Sequence, residues 1–248
     1  VILLVDAGNT RIKWRVIETA AGAGQVAEGV VVHEEIASLR GVFDAHPGLR
    51  RLVGCNVAGA EVAGHIANLA ADAGLAPEWL MPRAQCCGVR NLYDDPAQLG
   101  ADRWAALIGA RCIHPGAALV VTAGTATTVD LLAADGAFLG GLILPGVDLM
   151  RRALATRTAQ LPLASGSFSP TPRNTADAIH SGCLQAQAGA VERMYRLLAD
   201  QPGALCLLGG GAADSFAGLL EIPTRRIDNL VLVGLAAVAR ADGGTLDD

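Results

Sequence analysis

One short phrase occurs twice in this chain, and it limits the possible folds more than any other feature. Leu3 to Ile12 reads LLVDAGNTRI and Ala118 to Val129 reads ALVVTAGTATTV: an apolar strand, a polar residue, Ala-Gly, then hydroxyl or amide side chains. A β-branched, leucine-rich run broken by Gly-Asn predicts strand, tight turn, strand, because both residues accept the positive φ of a narrow turn. Aligning Asp6 with Thr122 separates the copies by 116 residues, close to half of a 248-residue chain. Two similar α/β halves, 1–115 and 116–248, each presenting a turn to a central cleft, form the simplest architecture. Chance likeness between two Ala-Gly-Thr turns in an Ala- and Gly-rich chain is the alternative.

The first copy carries the more pointed chemistry. Asp6 closes the first strand, Ala7, Gly8, Asn9 and Thr10 make the turn, and Arg11, Ile12 and Lys13 open the return strand. One small region thus offers a carboxylate, exposed backbone amides and positive charge, the set that a metal-bound phosphate needs. An ordinary hairpin with an Asp and an Asn in its turn accounts for the same residues equally well. Lys13 is the only lysine among 19 basic residues, and a compact ammonium meets a phosphate oxygen differently from a planar guanidinium.

Hydrophobic residues make up 52% of the chain and charged residues 17%, against a usual charged share of about 25%. Disorder is excluded, and so few charges leave apolar surface available for self-association. A net charge of -5 with no basic run argues against nucleic-acid or anionic-membrane partners. The apolar runs fall far short of the ~20 residues that span a bilayer, and Asp6 interrupts the first too early for a signal peptide; the expectation is a soluble, cytoplasmic protein. Six cysteines scattered in apolar surroundings without a C-x-x-C pair read as buried, reduced thiols, not as a disulfide frame or zinc site.

Between the copies, the pattern predicts a strand over 25–33, a short helix over 35–45, a strand over 49–57, a helix over 61–73 stopped by Gly74, and a strand over 78–81. Residues 88–100, with Tyr93, show neither period and read as a loop. Helical spacing returns over 101–113, with Trp104, Leu107 and Ile108 on one face. Asp102 falls in its first turn, where a carboxylate commonly serves the helix end; Gly100 and Arg103 beside it add close backbone approach and an anion clamp. After the second copy come a hairpin strand over 137–144, a helix over 147–159, and a Ser/Pro/Thr-rich loop over 161–172 with the character of a flap. A long helix over 175–199, opened by Asn174 and Thr175, leads to a strand over 204–208. That strand enters Gly209-Gly210-Gly211, and a last helix covers 230–240. The glycine turn is no dinucleotide fingerprint, since Asp214 stands where a third glycine belongs and the motif comes last.

DAGNTRIKW at 6–14, the Tyr93 loop leading into GADR at 100–103, AGTATTVD at 123–130 and Asn174-Thr175 together resemble the type III pantothenate kinase family. That family shares the duplicated ribonuclease H-like ATPase fold of actin, sugar and acetate kinases and heat-shock chaperone ATPases. The resemblance implies ATP-dependent phosphorylation of pantothenate, the first step toward coenzyme A, with Asp102 as base. It implies ATP binding by Asp6, Ala7, Gly8, Asn9, Thr10, Arg11, Ile12, Lys13, Thr125 and Gly210, and substrate binding by Tyr93, Gly100, Ala101, Asp102, Arg103 and Thr175. Asp6 would hold Mg²⁺, directly or through water, and the protein would be a homodimer acting on ATP and pantothenate. The chain departs from the family at Thr122, where many relatives carry an aspartate that helps bind a monovalent cation, K⁺ or NH₄⁺; a neutral hydroxyl leaves that position degenerate. Another small-molecule or sugar kinase of the same fold, and a nucleotide-binding regulator without turnover, are the rival readings.

Overall fold

The computed structural model describes residues 1–18, 25–158, 161, 163 and 165–241, in two compact units: 1–113 with the chain's last segment from Asn229, and His114–Asp228. In the first unit β1 (Ile2–Ala7) pairs antiparallel with β2 (Arg11–Ile17), which pairs antiparallel with β3 (Gln25–Val32). On the other edge β1 runs parallel to β4 (Arg51–Asn56), and β4 parallel to β5 (Pro77–Trp79), giving the order β3-β2-β1-β4-β5. Parallel neighbours need a crossover. Between β3 and β4 it is a 3₁₀ turn, His33–Leu39, continuing into α1 (Arg40–Ala45); between β4 and β5 it is α2 (Ala60–Asp72).

All six β1 residues are buried. With period-2 alternation, Leu3, Val5 and Ala7 face one side, into a core with Ile12, Val16, Phe43, Leu52 and Ile66. The other face is covered by α3 (Ala101–Ile113) and α6 (Leu230–Ala241), which pack closely on each other. Their backbones meet because a β-carbon at Gly234 would collide with the Ala105 carbonyl. The last helix, which chain order assigns to the second half, therefore belongs to the first unit's core.

In the second unit β8 (Ala118–Ala123) pairs antiparallel with β9 (Ala126–Leu132), and β9 with β10 (Ala137–Pro145). On its other side β8 runs parallel to β11 (Leu205–Gly209), and β11 parallel to β12 (Thr224–Arg226). The order β10-β9-β8-β11-β12 repeats that of the first unit, position for position. The crossover from β10 to β11 is α4 (Val147–Arg157) and α5 (Thr175–Tyr195), and the core gathers Leu119, Val121, Val129, Val191, Leu208 and Phe216.

Three segments differ from their sequence patterns. The loop expected over 88–100 contains β7 (Val89–Asn91), which forms a small hairpin with β6 (Gln85–Cys86), and a 3₁₀ turn at Pro96–Gln98. The helix expected to reach Ala199 ends at Tyr195, where i→i−3 bonds such as Leu198 N–H to the Tyr195 carbonyl tighten the chain. The Ser/Pro/Thr-rich segment is strapped to α5, since Ser167 N–H donates to Asp177 Oδ1 at 2.7 Å and Ser169 N–H to Ser181 Oγ at 3.0 Å. Ala159, Pro162 and Ala164, within the expected helix and loop, lie outside the described residues, as does the polar tail from 242.

Candidate active site

Asp6 sits at the end of β1 on the face covered by α3 and α6, and only 8% of it is exposed. Its register partners are Lys13 on β2 and Cys55 on β4, so all three side chains share a face. The Cys55 thiol donates to Asp6 Oδ1 across 3.5 Å. Burial pushes the Asp6 carboxyl up to about 6; the Lys13 charge opposes this, the Asp102 charge adds to it, and the Cys55 bond opposes it. Burial, then the charge of Asp6, holds the Cys55 thiol well above its usual range, so it stays a donor. The effect of Asp102 on Asp6 brings two carboxylates, from β1 and from the start of α3, into one electrostatic site.

The turn after Asp6 closes with Gly8 N–H donating to the Arg11 carbonyl at 3.1 Å. His33 Nε2 lies 2.9 Å from the Gly8 carbonyl, which pins the turn to the segment following β3. At α3, Asp102 Oδ1 accepts from the Arg103 N–H at 2.8 Å, so the helix-end role and the site role coexist in one side chain. A β-carbon at Gly100 would stand 2.7 Å from this Oδ1, so a larger residue there would push the carboxylate out of its place. Arg103 is buried and donates through Nη1 to the Tyr93 hydroxyl at 3.1 Å, its guanidinium carbon 5.7 Å from the ring centre. Asn91 supports that loop: its Oδ1 accepts from Tyr93 N–H and its Nδ2 donates to the Pro96 carbonyl, both at 3.1 Å.

The first unit thus gathers Asp6, Lys13, Asp102, Arg103 and Tyr93 around the ends of β1 and α3. Cys55, His33 and Asn91 complete that arrangement and carry no sequence signal; they meet their partners only through strand register and crossover.

In the second unit the turn closes one residue sooner, with Gly124 N–H donating to the Ala126 carbonyl at 3.0 Å. Thr122 is half-buried, its register partners are Thr128 and Gly209, and Thr125 is exposed on the turn. Gly210 has φ +94°, and a β-carbon there would collide with the Ala123 carbonyl, so the glycine turn lies directly on the end of β8. Thr175 begins α5 behind its Asn174 cap, whose Oδ1 accepts from Asp177 N–H at 2.9 Å. Asp177 is held below its ordinary range by the Ser167 N–H and then by Asn174. Thr175 also lines an apolar cavity of about 830 Å³ bounded by α4 and α5, with Leu149, Met150, Leu154 and Ile179.

Five strands of one order in each unit, each set with its turn after the first strand, define an actin-like ATPase fold. Solved structures agree: a Campylobacter jejuni protein assigned to the Baf family of transcriptional activators superposes with a TM-score of 0.61 at 20% identity, over 98% of this chain and 100% of that one. The activator of 2-hydroxyisocaproyl-CoA dehydratase from Clostridium difficile, with bound ADPNP, gives 0.54 at 13% identity, over 97% and 93%. The type III pantothenate kinase family model matches residues 2–197. The type III pantothenate kinase of Aromatoleum aromaticum is 64% identical over 97% of this chain and 98% of its own length, and that of Azoarcus sp. is 58% identical over 97% and 91%. The chain belongs to the type III pantothenate kinase family.

Proposed function

We propose that the chain transfers the γ-phosphoryl group of ATP to the primary hydroxyl of pantothenate. The observation that carries the mechanism is the pair of carboxylates, Asp6 and Asp102, within each other's field, beside the buried Arg103 and its Tyr93 contact. Phosphoryl transfer asks a protein chiefly to hold the nucleophile in line and to neutralise phosphate charge. Asp102 accepts the hydroxyl proton, and with Gly100 and Ala101 shapes the ground on which the hydroxyl stands. Arg103 pairs with the acceptor's carboxylate and Tyr93 donates to the acceptor, and the Thr175 hydroxyl is a further candidate for acceptor binding. Gly8 to Lys13 and Thr125 hold the nucleotide's phosphates through amides, hydroxyls and the Lys13 ammonium; Gly210 gives the nucleoside a side-chain-free surface.

A hard cation suits this donor set. Asp6 is a buried carboxylate whose repulsion by Asp102 an added positive charge would relieve, and Mg²⁺ characteristically takes one or two carboxylates plus phosphate oxygens and waters. Asp6 would hold it, directly or through water; when bound, it neutralises charge on the transferred phosphate. Thr122 offers a neutral oxygen where a monovalent cation would need charge, so dependence on K⁺ or NH₄⁺ is weak.

A homodimer is part of the same reading. Large apolar side chains stay exposed on the second unit, among them Ile143, Leu149 and Leu154, in a chain with few charges. We place the protein in the cytoplasm, with ATP and pantothenate as partners; no helix among the described residues is long and apolar enough to cross a membrane.

The test is incubation with Mg-ATP and, separately, pantothenate, simple sugars or no acceptor, followed by mass spectrometry of the products. Phosphopantothenate formed with pantothenate alone is expected. Phosphorylated sugar, or ATP hydrolysis without an acceptor product, would overturn the assignment. Light scattering of the same preparation checks the dimer.

A further inference from the structure

Away from the Asp6 and Asp102 site, the β6–β7 hairpin carries two adjacent cysteines at its tip. Cys86 pairs with Val89, so Cys87 and Gly88 are the two loop residues. Both have positive φ, 48° and 77°, the signature of a type I′ turn, whose first loop position favours Asn, Asp or Gly. A cysteine there breaks the local rule, and such breaches cluster at functional or strained sites. The two sulfurs lie 3.5 Å apart, and Arg83 Nη2 donates to Cys86 Sγ at 3.4 Å. Neither cysteine is in a disulfide, and both are half-buried where the sequence pattern predicts buried thiols, so a small reagent reaches them.

The spacing selects what the pair can hold. Neighbouring Cα atoms stand about 3.8 Å apart across a trans peptide, below the roughly 4.4–6.8 Å of an unstrained disulfide. A direct S–S bond is therefore disfavoured. Zinc is disfavoured too: its structural sites take four ligands, and no group of three or more His, Cys, Asp or Glu among the described residues is arranged for a metal. Two sulfurs 3.5 Å apart, each bonded at about 2.3 Å to a central atom, enclose an angle of roughly 100° there. That is the geometry of a pyramidal, trivalent main-group centre, and it is far from a linear two-coordinate ion.

We propose that Cys86 and Cys87 form a dithiol site for trivalent arsenicals. With phenylarsine oxide, each sulfur forms one bond to arsenic and the arsenic–oxygen bonding is broken. The oxygen leaves as water with both thiol protons, and arsenic stays trivalent, so no oxidant is consumed. The site is coupled to the acceptor loop, because β7 ends at Asn91 and the Asn91 side chain holds Tyr93 and Pro96. This coupling rests on the acceptor role proposed for Tyr93 and Arg103; the site itself does not.

The experiment treats the full-length protein with phenylarsine oxide and reads intact mass and free-thiol count, then acceptor and ATP KM. One adduct per chain with loss of two thiols is expected, stripped by 2,3-dimercaptopropanol and resistant to excess monothiol. Cys86→Ser and Cys87→Asn each abolish the monothiol-resistant adduct; Cys87→Asn also installs a preferred turn residue, so its loss of binding is not a folding defect. Cys112→Ser, which removes an exposed cysteine elsewhere, keeps the adduct. No adduct on the wild type, or a resistant adduct surviving in Cys86→Ser, would overturn the site. An adduct that leaves the pantothenate KM unchanged would overturn the coupling alone, and an unmodified enzyme without pantothenate kinase activity would overturn the functional reading while leaving the mass result standing.

Discussion

The two units follow one plan, yet the end of the central strand is charged in one and neutral in the other. β1 carries Asp6 one residue before its end, flanked in register by Lys13 and Cys55; β8 has Thr122 at the matching position, flanked by Thr128 and Gly209. The strand order is shared because both central strands are apolar runs paired antiparallel on one edge and parallel on the other, a pattern that tolerates either chemistry at its tip. The first turn is held from outside by His33. The second is packed against the glycine turn, whose Ala212 N–H donates to the Ala123 carbonyl at 3.1 Å. Fold was duplicated, while reactive charge was kept on one side.

The sharpest way to break this asymmetry is Asp102→Asn. If the first unit alone supplies the base, kcat falls about 10²- to 10⁴-fold, the usual share of a positioned general base, while ATP affinity measured by calorimetry is retained. Turnover close to wild type would remove Asp102 from the chemistry.

The next effect is on stability and has the opposite sign. The folded-state value of about 6 for Asp6 lies above the ordinary 3.8. Below pH 3.8 both states are protonated and burial carries no charge penalty. Between 3.8 and 6 the unfolded chain ionises first and the folded state loses ground; above 6 the loss is complete, at about 3 kcal/mol. Asp6→Asn should therefore stabilise the ligand-free protein by that order at pH 7–8, with the gain vanishing near pH 3.5, although it damages Mg-ATP binding. Denaturant titrations of both proteins at several pH values decide it; a difference that does not change with pH would sink the account.

How much of this was legible depended on distance along the chain. The two turns, and GADR as the start of a helix, were readable because Asp6 to Lys13 and Gly100 to Arg103 each form their structure within a few residues; the positive φ expected of Gly8 and Asn9 is not adopted, Gly8 N–H reaching the Arg11 carbonyl without it. The Cys55–Asp6 and His33–Gly8 contacts were not, since each joins residues on different elements and arises from pairing and crossover alone. The β6–β7 hairpin was hidden because Cys-Gly replaces the Asn-Gly or Asp-Gly that announces a type I′ turn. The packing of α6 on α3 in the first unit was equally hidden, since nothing in chain order connects helices that begin at Leu230 and Ala101.

A milder comparison sets Gly8 of the first turn beside Gly210 of the glycine turn that packs on the second. A β-carbon at Gly8 would meet the Arg11 carbonyl at 3.2 Å, a contact that a small shift relieves, whereas at Gly210 it would collide with backbone at positive φ. Gly210→Ala should cost more than about 2 kcal/mol and Gly8→Ala less than that, read as midpoint shifts in urea. Equal losses would mean that the glycine turn yields as readily as the first turn.

The smallest expected effect tests the neutral tip itself. Hard monovalent cations are held by charged or carbonyl oxygens in sufficient number, and Thr122 brings one hydroxyl, with Thr128 and Gly209 as its register partners. Exchanging K⁺ for Na⁺ or a bulky organic cation at constant ionic strength should therefore change kcat/KM by less than about threefold, under 1 kcal/mol, while Mg²⁺ withdrawal abolishes activity. Thr122→Asp sharpens the comparison by giving the second tip the carboxylate of the first. If only the charge is missing, that variant acquires a saturable K⁺ response that the wild type lacks. A large, saturable K⁺ requirement in the wild type would show that carbonyl oxygens around the second turn suffice, and the contrast between a charged and a neutral tip would then lose its functional meaning.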